Sequence, residues 1–198
     1  MRKPQDVVFG WVATVSSVAL VLFSLDLFYP LATLLGGTVL WTLIWLLVLQ
    51  KSTADAPTLS RNDAKYLFLL IAVGLVFRIG PYPYVVGGQD QGVYVNMSYS
   101  YERQHGPLHK DSVRSRLKDP VLIQAFDKAN LMDREALSSV PGNFLSGVYI
   151  QDLDDSEYVF QFFHLHPLWM SIFGSVLGGL GRLYSLTFLS LIHISEPT

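Results

Sequence analysis

Two stretches of nineteen residues without a charged side chain, 7–25 and 31–49, constrain this chain more than anything else in it. The first has only Thr14, Ser16, Ser17 and Ser24 as polar members, the second only Thr33, Thr38 and Thr42. As helices each reaches about 28 Å, close to the ~30 Å hydrocarbon thickness of a bilayer. Between them Asp26-Leu27-Phe28-Tyr29-Pro30 reads as a tight aromatic turn of the kind found at a headgroup boundary. A secretory signal peptide competes for the first stretch, and Arg2-Lys3 suits one. Its apolar core is long for that role, however, and no small-x-small cleavage site follows. Residues 1–60 are therefore expected to form a transmembrane hairpin with a cytoplasmic linker.

Composition agrees. Only 15% of the 198 residues are charged, against about 25% in ordinary domains. The 14 Lys+Arg and 16 Asp+Glu leave a net charge of −2, which argues against a nucleic-acid binder. Without cysteine there is no disulfide scaffold, Cys-ligated zinc site or cysteine nucleophile.

A third apolar run, 66–77, ends at Arg78 and Gly80-Pro81-Tyr82-Pro83. With Ser60-Arg61-Asn62-Asp63 as its cap, it predicts a transmembrane helix over 61–79, Lys65 and Arg78 snorkelling to opposite interfaces. A fourth run, 168–180, is punctuated by Gly174, Gly178 and Gly179, with Gly181 just beyond it. Residues 166–188 are expected to be a short membrane helix and the start of another. Arg2, Lys3, Lys51, Arg61 and Lys65 flank the spans on one side, while the 26–30 turn has neither Lys nor Arg. The positive-inside rule then puts the N-terminus in the cytoplasm and residues 80–165 outside. The expected fold is an all-α polytopic membrane protein. Its large external loop would hold an amphipathic helix and a small β-hairpin.

The last ten residues, 189–198, read LSLIHISEPT and resemble the translated readthrough of a transposase-type sequencing adaptor. That resemblance implies a native sequence cut off near Phe188 and removes His193 and Glu196 from any site argument.

The chemistry is expected in the external segment. Gly87-Gly88 permits a sharp reversal and delivers Asp90 to the bilayer surface. Val93, Met97 and Tyr101 recur every four residues up to Gly106-Pro107, predicting a helix with one apolar stripe lying along the membrane. Asp90 at its start can cap the helix, act as a reactive group, or both. Cations available to an anion are Arg78, Arg103, Lys110, Arg114, Arg116 and Lys118, most of which read as a solvated face. Asp152, Asp154, Asp155 and Glu157 are dense enough to suggest a divalent cation, with Asp90, Asp154 and Asp155 as candidate ligands. Yet β-type segments at 148–150 and 158–162 flank them, which favours a hairpin turn. His164 and His166 stand where the loop re-enters the apolar part, and Tyr94 and Tyr101 are candidates to line the same cleft.

The run GGQDQGVYVNMSYSY, followed by QFFHLHPLWMSIFG, resembles the membrane-embedded C-type glycosyltransferases. Within these it is most similar to the bacterial branch related to protein mannosyltransferases and aminoarabinose transferases. The resemblance covers residues 66–188 and implies that Asp90 is the catalytic base. Where many relatives carry a second acid, this chain has Gln91. It further implies a polyprenyl-phosphate sugar donor, a lipid, glycan or protein acceptor, and inverting single displacement. Arg78, Tyr94, His164 and His166 would hold the donor phosphate, with or without a divalent cation. A fragment lacking later helices would be inactive. A transporter or a non-catalytic envelope assembly protein remains the alternative; a transporter is expected to carry ionisable groups inside its spans, and the first two have none.

Overall fold

The computed structural model describes residues 4–49, 65–66, 68–69, 72–73, 76, 90–129 and 148–194. The first uncharged stretch forms helix α1 (Pro4–Ser24) and the second forms α2 (Pro30–Ile44), continued by a π-helical turn over Trp45–Leu49. Pro30 stands at the first turn of α2, where its missing N–H costs nothing. The two helices pack closely. Gly37 brings α2 against the backbone of Val15, Gly10 lies under the Trp41 ring, and Trp11 Nε1 donates to Thr38 Oγ1 at 2.9 Å. Hydroxyls at 14, 17, 24, 38 and 42 return to carbonyls within their own helices.

Helix α3 (Asp90–Gln104) follows, then β1 (Leu108–Lys110), a 3-10 turn (Arg114–Arg116) and α4 (Pro120–Ala129). Strands β2 (Val148–Asp152) and β3 (Glu157–Phe160) form a hairpin, and β1 adds to its free edge, giving an antiparallel sheet ordered β1-β3-β2. The chain ends in α5 (Leu165–Ile194), sharply kinked at Gly178, whose φ of 69° and ψ of −158° only glycine adopts readily. Beyond the kink the chain folds back so far that Gly181 lies against the carbonyl of Phe173.

The expectation of an all-α polytopic membrane protein is overturned. The described residues form a mixed α/β structure of five helices and a three-stranded antiparallel sheet. Two of these helices are long and apolar enough to cross a membrane, over Val7–Ser24 and Pro30–Leu47. The fourth apolar run misled because burial against protein and burial in lipid call for the same residues. Leu168, Trp169, Met170 and Ile172 are buried, all but Met170 in a core shared with α1 and α3, and the Gly178 kink divides the run. Apart from helical positions between 65 and 76, the helix expected over 61–79 lies outside the described residues, as does the Gly87-Gly88 reversal.

The core forms where three helices meet the sheet: Val15, Ala19, Phe23 and Phe28 from the hairpin, Met97 and Tyr101 from α3, Leu168, Trp169 and Ile172 from α5. The apolar stripe of α3 thus packs on protein rather than along a membrane. Trp169 crosses 5.7 Å from Trp11 and donates to Ser16 Oγ, so α5 runs beside α1. The turn between α1 and α2 is fastened to the end of α3. Phe28 N–H donates to the His105 carbonyl at 2.9 Å, His105 Nδ1 meets the Phe28 carbonyl at 2.9 Å, and the Tyr29 and His105 rings stack at 4.0 Å.

Among the described residues, two arginine ion pairs tie distant segments together. Arg182, just past the kink, reaches both carboxylate oxygens of Glu102 at 2.8 Å and Ser98 Oγ at 2.9 Å, and lies 3.9 Å above the Tyr99 ring. Arg114 grips Asp127 of α4 at 2.7 and 2.9 Å, and bonds the Leu153 carbonyl and Ser156 Oγ of the β2–β3 turn. Arg114 is therefore buried, unlike the rest of the basic run, in which Arg103, Lys110, Arg116 and Lys118 are exposed.

Candidate functional site

Asp90 is the first residue of α3. Its side chain and Arg78 lie outside the described set. One helical turn after Asp90, Tyr94 stacks on His166 with ring centroids 5.1 Å apart and planes 21° apart, and its edge meets Phe162 at 5.5 Å. His166 stands in the first turn of α5, and its Nε2 is buried with no hydrogen-bond partner among the described residues. Burial lowers its pKa, which favours the neutral ring. A buried imidazole nitrogen without a partner, beside the turn that begins with Asp90, is suited to meet a group brought by a ligand.

His164 is held by Tyr101, further along the same helix. Its Nδ1 lies 2.6 Å from the Tyr101 hydroxyl and its ring 5.1 Å from Phe23 of α1. It lines an open cleft of about 430 Å³ together with Leu20, Gln161, Phe162, Phe163 and Leu165. Leu20 belongs to the first apolar helix, so the cleft opens where the 161–165 segment meets the hairpin. The Phe163 side chain beside it is 87% exposed.

The structure thus brings Tyr94, His166 and the start of α3 together, with His164 on the neighbouring turn of chain. It does not bring the acidic cluster to them. Asp154 and Asp155 occupy the β2–β3 turn, where Asp152 Oδ1 accepts from their backbone N–H groups at 2.8 and 3.1 Å. That turn bonds to Asp111 just past β1, beyond the C-terminal end of α3. Asp90 opens the opposite end, about 20 Å away along the helix. Among the described residues no three His, Asp or Glu side chains are grouped to hold a metal ion. A shared cation site for Asp90, Asp154 and Asp155 does not fit this arrangement.

One residue of this region was not singled out by sequence. His109 on β1 is buried beneath Tyr101, stacked at 5.4 Å, with Nδ1 bonded to Ser100 Oγ at 2.9 Å. The sequence signal was slight: a histidine in a three-residue strand after Gly106-Pro107. Burial, and secondarily His164, push its pKa down to about 4 from an ordinary 6.5. The folded protein therefore favours the neutral ring, whereas the unfolded chain takes up a proton near pH 6.5. Stability from this group is complete above that value and is lost as pH falls towards 4, by about 2–3 kcal/mol between pH 7 and 4.5. Denaturant midpoints at the two pH values should show this loss, and His109→Phe should remove most of it.

No protein-family model matches the chain, and neither a curated protein nor a solved structure matches it significantly.

Proposed function

We propose that the chain is a membrane-anchored glycosyltransferase that moves a sugar from a polyprenyl-phosphate donor to an acceptor at the outer face of a bacterial or archaeal plasma membrane. The observation that carries this reading is the Tyr94–His166 stack, one turn from Asp90 and close to a cleft that shares Leu20 with the first apolar helix. A donor whose tail stays in the bilayer presents its reacting carbon at that level. The resemblance of the GGQDQGVYV and FHLHPLW segments to C-type glycosyltransferases supports the same assignment.

In this reading α1 and α2 cross the bilayer with the N-terminus in the cytoplasm. Few of their residues are buried by protein: 17% and 11% of the two windows. The core helix of a water-soluble protein would be mostly covered, and so large an exposed apolar face calls for lipid or a partner. The clamp between Phe28 and His105 sets the end of α3 on the same side as the α1–α2 turn.

The chemistry asks little of the protein. The Asp90 carboxylate takes the proton of an acceptor hydroxyl or amine as its oxygen or nitrogen attacks the anomeric carbon. The bond from that carbon to the phosphate oxygen breaks, configuration inverts, and the polyprenyl phosphate leaves without needing an acid. Tyr94 and His166 would flank the reacting carbon, and His164 would address the phosphate.

The test is direct. The full-length protein in lipid vesicles is supplied with hexosyl and pentosyl polyprenyl phosphates, and release of polyprenyl phosphate is followed. Release that depends on an added acceptor supports the assignment. Absence of release with every donor, accompanied by solute flux across the vesicle, would replace it with the transporter reading.

A further inference from the structure

We propose that Tyr101 is a positioning residue that holds His164 as the Nε2–H tautomer, so that the ring offers a hydrogen-bond donor, not a base, to a phosphate-type anion in the cleft at residues 161–165. Tyr101 is fully buried, and its hydroxyl lies 2.6 Å from His164 Nδ1, its hydrogen-bond partner among the described residues. A phenol is a stronger acid than a neutral imidazole N–H, and the bare imidazole nitrogen is the better acceptor. The opposite arrangement, with Nδ1–H donating to the phenol oxygen, would leave the hydroxyl hydrogen buried without an acceptor. The proton of this bond therefore belongs to the oxygen, and the proton of the imidazole sits on Nε2.

Neither ring is free to escape the bond. Tyr101 is packed at 4.4 Å against Phe23, stacked at 5.4 Å on His109 and edged by Phe160 at 6.1 Å, while Phe23 also backs His164. Burial favours the protonated phenol and the neutral imidazole, the two forms this bond requires. With Nδ1 taken, Nε2 is the ring nitrogen left to address an occupant of the cleft. The other walls, Leu20, Phe162, Phe163 and Leu165, are apolar, with Gln161 at the rim. A single fixed donor among apolar walls suits an anion carrying an alkyl tail better than a bare ion. The anion-binding half of the proposal rests on the donor reading above; the tautomer does not.

The experiment uses the full chain in detergent micelles with 15N-labelled histidine, the His164 signals being identified by their loss in His164→Gln. The expected result is an Nε2–H tautomer in the wild type and a mixture in Tyr101→Phe, which keeps the ring and its packing. An Nδ1–H tautomer in the wild type overturns the proposal without any variant, and an unchanged tautomer in Tyr101→Phe overturns it as well. Decyl phosphate, inorganic phosphate and the neutral decyl maltoside are then titrated. Decyl phosphate should move the His164 signals and bind about fivefold more weakly to Tyr101→Phe. An equal response to inorganic phosphate supports the site but makes the free ion its ligand. No response to either phosphate, with Nε2–H intact, overturns the anion-binding half. Absence of sugar transfer while tautomer and anion binding are as expected counts against the glycosyltransferase reading alone.

Discussion

Asp90→Asn should lower sugar transfer by about 10²–10⁴-fold, the usual contribution of a positioned general base. The substitution keeps shape and removes the capacity to accept a proton. It also keeps the other role open to the first residue of α3, because asparagine caps a helix about as well as aspartate. Folding and activity are thereby separated: thermal unfolding should stay within about 0.5 kcal/mol of wild type, while the turnover number collapses. Donor KM should change little, since the phosphate contacts are assigned to His164 and its neighbours. Initial rates at saturating donor and acceptor provide the measurement, and transfer retained within tenfold of wild type would remove Asp90 from the mechanism.

Arg114→Ala carries the largest expected loss of stability, about 3–5 kcal/mol. One guanidinium joins three pieces of chain: the turn after β1, Asp127 on α4, and the Leu153–Ser156 turn of the hairpin. Its removal strands the largely buried Asp127 carboxylate and two hairpin acceptors in one step. Lysine at 114 keeps the charge but not the two-pronged geometry, and should recover less than half of the loss. Denaturant unfolding measures the total. Amide exchange across β1, β2 and β3 would localise it, since the sheet should open well before the α1–α2 pair. Exchange in the sheet that matches wild type would contradict the role given to Arg114.

Much of this arrangement was legible in the sequence, for identifiable reasons. Uninterrupted apolar runs made the α1–α2 pair plain, and the four-residue recurrence of Val93, Met97 and Tyr101 drew α3. Turn-forming acids between β-type segments marked the β2–β3 hairpin. Strand β1 was hidden because three residues carry no periodicity and its partner β3 is distant in sequence. Arg114 looked like a solvated charge because its neighbours Arg116 and Lys118 are solvated; only the return of α4 gives it Asp127. Among the glycines at 174–181, nothing in the sequence distinguished Gly178 as the one with φ of 69°. Site residues were legible as types rather than as contacts: His164 and His166 stood out, but each has a tyrosine of its own.

The fastening of Phe28 to His105 has a practical side. The α1–α2 hairpin is a wall of the protein interior, because Phe23 and Phe28 complete the pocket around Tyr101. A shortened gene product starting at α3 would be born with that wall missing. Tyr101, Met97 and Trp169 would face water, and the cleft beside His164 would lose Leu20. Work on the portion from α3 onward therefore has to keep the first fifty residues.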